Sequence, residues 1–573
     1  MLRWLAVLCG VVLLYFLATG RVARHHLEQA KSDVDQVRHA LLASDHDAAH
    51  RWMTKAQSQA HDAHDWLAGP AWAGVGQVPW LGRPAKVERG LAGVAVTLAD
   101  RALPAAVQAG DDLTPSQLRL PDGAVRLAAF ASAVDPLDVA AAATAQAQRQ
   151  VAALPHSTWL PPANHARTGA SSLIGQLHRI LRDAHDAAAL APGMLGGQGT
   201  RRYLLVVEND AEARGLGGLP GVTAVLTVSN GRLSFGRFEN NSFLNLPPSP
   251  PVPVGAAYRN TYADTDALTD FVDSDLSPDF PTVGKVWVAM WKAKTGEQLD
   301  GAIAADPTTL SYLLSATGPA YLADGTKVSG KNIVALTEQE AYSRFDSLAA
   351  RQAFFIRVAR AAANQLVNAP HGSAHALVEA MSHAVTEHRL MVWSARAEEQ
   401  STLDATPLAG GLPDTESPFV AVTVNNSQGS KLDYYLEKSV TYDRTACSVS
   451  GEQLSTVTVR LHNGAPANLP AYVTTRLGGT GRFPVGSERS LVALYTTHGA
   501  NLLGVTADGT SIAASIGEEV GHPRYDVEID TAAGATTTLV FHVIEPRHDD
   551  PVTVWRQPGI NPEVVRLVGS ACG

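Results

Sequence analysis

The longest uncharged apolar run in the chain is residues 4–18, with Arg3 before it and Arg21 and Arg24 after it. Read together with Thr19 and Gly20, it approaches the ~20 residues that cross a bilayer as a helix. A secretory signal has the same layout but ends in a small-x-small cleavage pattern. Here the exit reads Tyr15-Phe16-Leu17-Ala18-Thr19-Gly20. The pattern favours an uncleaved single-pass anchor over residues 1–22, with a cleaved signal as the alternative. The positive flanks are nearly balanced, so they do not orient the span.

Beyond the anchor, Leu27, Val34 and Leu41 recur every seven residues with Ala30 and Val37 between them, which predicts one long helix over 23–67. Gly69-Pro70 and Pro79-Trp80-Leu81-Gly82 end it, and Ala-rich helical stretches follow at about 84–110, 124–152 and 166–192. Residues 23–198 therefore read as a helical stalk or bundle. The periodicity changes at Arg201. Strands are expected at 203–207, 223–228 and 232–237, and helices at 282–294, 306–316 and 332–367. That alternation predicts an α/β domain over 199–405. A loop rich in Pro, Gly and Thr follows at 408–418. Short strands are then expected at 419–424, 432–442, 455–461, 471–477, 490–495 and 537–544, which suggests an Ig-like β-sandwich over 415–573. The expected fold class is multidomain α+β: transmembrane helix, helical stalk, central α/β domain and C-terminal β-sandwich.

Composition narrows the partners. With 45% hydrophobic residues, 17% charged residues and a net charge of −10, the chain is globular and acidic. A nucleic-acid partner would need concentrated Lys and Arg, so none is expected; the membrane is the expected partner of the first helix. Cys447 and Cys572 are the two cysteines outside the anchor. A disulfide between them would pin the tail and imply an oxidising compartment, placing the bulk of the chain outside the cell membrane. Two separate buried thiols are the alternative.

Four constellations could carry chemistry. His46-Asp-Ala-Ala-His50 puts two imidazoles on one helical face, but Asp47 replaces the Glu of a zinc-protease helix and no third ligand is evident. Gly215-Leu-Gly-Gly218-Leu-Pro-Gly221 is glycine-rich, yet Pro220 and a following strand exclude a dinucleotide fingerprint, leaving a backbone nest for an anion as the option. Asp273, Asp275 and Asp279 alternate like a calcium loop without its Gly and closing Glu, and are weak metal candidates beside the plainer reading of an acidic turn. Finally, Arg344 and Arg351 stand two helical turns apart, where planar guanidinium forks suit pyrophosphate. An ordinary salt-bridged helix face is the competing reading.

Several segments, among them Leu299-Asp-Gly-Ala-Ile-Ala-Ala-Asp-Pro307, Leu336-Thr-Glu-Gln-Glu-Ala-Tyr342 and Arg202-Tyr-Leu-Leu-Val-Val-Glu-Asn-Asp-Ala-Glu-Ala-Arg214, carry a family resemblance. Over roughly 200–370 the chain resembles a large bacterial family of membrane-anchored envelope proteins known only as a domain of unknown function. More remotely, the order of elements is similar to the LytR–CpsA–Psr family, through 310–319, Glu340-Ala-Tyr-Ser-Arg344 and Arg351-Gln352. That resemblance implies a single-pass extracytoplasmic transferase of polyprenyl-pyrophosphate-linked glycopolymers, with Mg²⁺ as a cofactor. It implies Arg214, Arg237, Arg344 and Arg351 as pyrophosphate ligands. The chain departs from that pattern at Gly217, Gly218 and Asn240, where acids would be wanted. The expected function is an envelope protein whose α/β domain binds or transfers such a polymer. The alternative is a non-enzymatic structural or adhesion scaffold.

Overall fold

The computed structural model describes residues 2–43, 45–114, 118, 120, 123–245, 252–368, 374–474 and 484–569. These fall into two compact units: residues 1–199 with 229–232, and residues 200–228 with 233–573.

The first unit is helical. The apolar run lies in α1 (Leu2–Leu42), one helix that continues without a break into the bundle. The single helix expected over 23–67 is instead two. Asp45 caps α2 (His46–Ala68) by accepting from the Ala48 N–H at 2.9 Å, so the chain turns back along α1. α3 (Pro70–Gly76), α4 (Arg83–Thr97), a wide helical turn at Leu98–Ala102 and α5 (Leu103–Asp112) follow. α6 (Leu127–Ala152) and α7 (Pro161–Met194) complete the bundle. Its core is largely alanine, including Ala49, Ala63, Ala92, Ala133, Ala140 and Ala147. Small side chains let helices approach closely, which explains why the Ala-rich stretches pack into a bundle. Arg83–Asp112 and Leu127–Ala152 are long and apolar enough to cross a membrane by length and composition, with 39% and 44% of their windows buried in the unit.

The second unit joins a mixed sheet to two further sheets. β1 (Arg201–Arg214), β2 (Gly217–Ser229) and β3 (Arg232–Asn240) form an antiparallel ladder. α8 (Gly255–Thr261) and α9 (Phe280–Thr295) lead to β4 (Gly301–Ala305), which returns parallel to β1. α10 (Pro307–Thr317), the small ladder β5 (Ala320–Tyr321) and β6 (Lys327–Val328), α11 (Ile333–Ala335), α12 (Ala341–Arg344), α13 (Leu348–Val367) and α14 (Ala374–Thr386) precede β7 (Leu390–Ser394). The sheet order is β3-β2-β1-β4-β7. One face carries α9, whose Val283, Trp287, Met290 and Trp291 pack on Leu204, Val206, Ala302 and Trp393. The other carries α13, whose Ala359 and Ala363 meet Val222, Ala224 and Phe238.

After α15 (Ala397–Leu403) the chain is almost all strand. One sheet orders β14 (Ser515–Glu519), β15 (His522–Thr531), β11 (Glu488–Thr496), β8 (Phe419–Asn426) and β17 (Thr553–Arg556). The other orders β13 (Thr510–Ile512), β12 (Asn501–Ala507), β16 (Thr536–Glu545), β10 (Gln453–Asn463), β9 (Leu436–Cys447) and β18 (Val564–Gly569). Val422, Val424, Val492 and Leu494 of the first share a core with Val457, Val459, Leu539 and Phe541 of the second. Inward residues alternate with outward ones, as sheet packing requires. The strand expected at 471–477 is instead a short helix, α16 (Ala471–Thr474); 475–477 lie outside the described residues.

Candidate functional site

β1 is longer than its parallel neighbour. It pairs with β4 only as far as Val207↔Ala305, and its last residues run on past the carboxyl end of β4. In open α/β sheets that end is where ligands bind. Here it carries acids. Glu208, Asp210 and Glu212 alternate along β1 and are all buried. Asp306 follows β4 directly and caps α10, accepting from the Thr309 N–H at 2.5 Å. Buried Glu338 accepts from the Ala211 N–H at 2.7 Å, so the β1 backbone that found no strand partner finds a side chain instead.

The glycine-rich run is part of this arrangement rather than an anion loop. Gly215 and Leu216 form a two-residue turn, and Gly217–Gly221 belongs to β2. A Cβ on Gly218 would come within 2.5 Å of Asp210 Oδ1 and of the β1 backbone, so only glycine lets the hairpin close over the acids.

The acids sort into two electrostatic groups. Glu212 lies beside Lys431 and 2.9 Å from Arg214, and these cations outweigh burial and hold its carboxyl below the usual range. Burial pushes both Glu208 and Asp210 far up; the charges of Asp275, Asp210 and Asp306 add to it at Glu208, and those of Asp306 and Glu338 at Asp210. The cation among them is Arg389, 2.5 Å from Asp306 and 3.7 Å from Asp210. Asp210 accepts no hydrogen bond among the described residues. Burial pushes Glu338 up to about 8. A carboxyl that keeps its proton at neutral pH can donate it, while Glu212 stays ionised.

The raised group makes stability pH-dependent. The folded chain holds a proton on Glu338 that the unfolded chain, titrating near 4.5, has released. Its contribution is therefore full below that value and lost as pH rises through about 8. The slope reaches up to ~1.4 kcal/mol per pH unit for one carboxyl. Glu338→Gln keeps an acceptor for Ala211. Urea unfolding of the variant should show a flatter loss of stability between pH 5 and pH 8, the window those values set. An unchanged slope would place the titration elsewhere.

Beside the acids a narrow cleft of about 40 Å³ runs between the sheet and α13. Val207, Val222, Leu310, Phe355, Val358 and Ala359 give it apolar walls, and Glu208 from β1 and Glu338 from the helical turn at Leu336–Glu340 also line it.

The four arginines do not share one place. Arg214 is enclosed: it donates to the Val272, Ala213 and Asn426 carbonyls and to the carboxylates of Glu212 and Asp273. Burial opposes its charge, but these acids outweigh it and hold it protonated. Arg237, on β3, has a side chain 82% exposed and pairs with Glu239 at 2.8 Å. Arg344 is exposed over the Phe345 and Phe354 rings. Arg351 differs from all three. It is 3% exposed, donates to the Phe345 carbonyl at 2.7 Å and lies 3.6 Å over the Tyr472 ring. Among the described residues it forms no ion pair with an acid, and its Nε has no acceptor. A buried guanidinium without an anion is costly, and no sequence pattern distinguishes it from Arg344.

The remaining candidates are occupied. Asp273 binds Arg214, the buried Asp275 carboxyl has no hydrogen-bond partner among the described residues, and Asp279 caps α9 through Thr282. Asp273 and Asp279 thus serve different partners. His46 and His50 both hydrogen-bond the Asp111 carboxylate, which ties that face of α2 to α5. Among the described residues no group of three or more His, Cys, Asp or Glu side chains is placed to hold a metal ion. Arg389 pairs with Asp306 and lies 3.7 Å from Asp210, so among the described residues these acids share a cation and do not form a ligand set for the Mg²⁺ that the remote resemblance implies. Sequence reading missed Asp306, Glu338 and Arg389. The signal was available in the alternation Glu208-x-Asp210-x-Glu212, an acidic strand face that must be buried or solvated.

The fold thus defines a multidomain α+β protein with an N-terminal helical region and a β-rich C-terminal part, with its candidate site on the sheet between them in sequence. Residues 198–342 match the family described as "Protein of unknown function (DUF4012)". That span holds the acid cluster through Glu338 and ends just before Arg344 and Arg351. No curated protein matches the chain. No solved structure matches it either.

Proposed function

We propose that this chain is a single-pass, membrane-anchored envelope protein whose body lies outside the cytoplasmic membrane, and whose α/β half binds a polyprenyl-pyrophosphate-linked glycopolymer. The observation that carries this reading is the placement of Arg351 on α13. Phe355, Val358 and Ala359 line the apolar cleft, and Arg351 stands one turn earlier on the same helical stripe. A phosphate at that guanidinium would supply the missing anion, and the adjoining isoprenoid carbons would lie against the apolar mouth of the cleft, whose volume of about 40 Å³ is too small for a whole isoprenoid unit. Arg344, exposed one helix earlier, would meet the same phosphates from the solvent side. The anchor confines the protein to the surface where such a lipid resides.

Direct binding tests it. The full chain, reconstituted in lipid nanodiscs, should bind polyprenyl pyrophosphate saturably. Inorganic pyrophosphate and the free polyprenol should each bind more weakly, because each offers only one of the two contacts. Equal affinity for all three would remove the two-part site.

The outside location also predicts a Cys447–Cys572 disulfide. Cys447 is the last residue of β9, and β18 runs parallel to that strand as far as Gly569. Cys572 itself lies outside the described residues. Non-reducing peptide mapping of protein from its native membrane should yield one joined peptide. Free alkylation of both thiols would contradict the bridge and the compartment it implies.

A further inference from the structure

We propose that one end of the helical bundle is a collar that seats in the headgroup layer of an anionic bilayer. This rests on the anchor reading above and adds a second, peripheral contact to it. Three observations meet at that end.

First, the loops at that end converge on the emerging α1. Phe16 packs edge-on against Trp72 with ring centroids 5.0 Å apart, and Trp72 Nε1 donates to Thr19 Oγ1 at 3.0 Å. Trp72 belongs to α3, which leads into the turn at 77–82. Trp159, in the connection between α6 and α7, donates from Nε1 to the Leu81 carbonyl at 3.1 Å. Both loops therefore sit at the level where α1 continues as its apolar stretch towards Leu2.

Second, these loops expose aromatic and aliphatic side chains that a water-facing turn would hide. Trp80 is 59% exposed, Leu81 53% and Trp159 48%; Trp66, in the last turn of α2, is 47% exposed. Trp80 and Trp159 lie with centroids 6.3 Å apart. Trp80 also holds φ at 59°, a left-handed conformation that costs a bulky side chain of order 1 kcal/mol or more.

Third, the loops there are basic on balance, with the exposed Asp65 beside Trp66 at the end of α2. Arg83 and Lys86 line an open groove with Leu154, Pro155 and His156. Glu88 is the sole acid in residues 66–89, and it is taken by Arg24; residues 152–161 contain none. Trp at the headgroup level flanked by Lys and Arg is the chemistry of an interfacial belt, and each basic residue near an anionic surface adds about 1 kcal/mol. A protein partner would be expected to bring an acid for Arg83 and Lys86; a phospholipid surface brings phosphate.

The test uses the full chain in vesicles of phosphatidylethanolamine and phosphatidylglycerol, with lipids brominated near the headgroup as fluorescence quenchers. Wild type is compared with a Trp80→Phe, Trp159→Phe double variant. Both should float with the vesicles, and the variant should lose about a third of the wild-type quenching, since two interfacial indoles are gone. If both float and are quenched equally, the collar is wrong while the anchor stands. If wild type does not float, the anchor and the collar fall together.

Discussion

Arg214→Ala is expected to destabilise the second unit by about 3–5 kcal/mol, the cost of removing one partner from a buried ion pair. The size follows from what the guanidinium holds. Its five donors join the end of β1 to the 272–273 turn and to Asn426 at the end of β8. Around it, Ala213 donates to Asp433 at 2.9 Å and Gln557 donates to the Arg214 carbonyl at 2.6 Å. Without Arg214 the buried Glu212 keeps only Lys431, and Asp273 loses its cation. Arg214→Lys should lose less, because one ammonium can replace the charge but not the fork. Urea denaturation followed on sandwich and α/β probes would check this, and both probes should shift together. A wild-type midpoint for Arg214→Ala would show that the network contributes little and would return this arginine to the list of free ligands.

Arg351→Ala is expected to behave oppositely. Loss of a charge-assisted, partly desolvated phosphate contact costs about 1.5–3 kcal/mol, or roughly 10–150-fold in affinity. Polyprenyl pyrophosphate binding in nanodiscs should fall by that factor, and the free polyprenol should be unaffected, since the cleft walls remain. Stability should change little or rise, because the variant removes a buried guanidinium that has no acidic partner among the described residues. The two arginines are thus separated by their readouts: one moves the unfolding midpoint, the other moves affinity. If Arg351→Ala binds the lipid as tightly as wild type, the proposed site loses its phosphate contact.

Much of the local structure was legible because it depends on short-range chemistry. The turn at Ser229-Asn230-Gly231 is marked by its residues, and Asn230 and Gly231 do take positive φ at 48° and 76°. The strands at 203–207, 223–228 and 232–237 lie inside β1, β2 and β3. The break capped by Asp45 was less visible, since a single capping side chain competes with a continuing heptad. At 471–477 the apolar residues suit strand or helix equally, and Tyr472 is fixed by its stacking on Tyr342 and under Arg351.

The site was less legible than the elements. Arg214, Arg237, Arg344 and Arg351 are alike on paper, and burial separates them only when distant segments meet. Glu338 reaches Ala211 and Lys431 reaches Glu212 across long stretches of chain, which no spacing rule foresees. By itself the sequence determined the apolar amino-terminal run, the alanine-rich helices, the alternating strands and the acidic, cysteine-poor composition, because each is set by near neighbours and by water. The tertiary structure alone decided which charges are shared and which are left over. An arginine's partners are chosen by the packing of β1, α13 and the sandwich, and burial then fixes the energetic meaning of each choice.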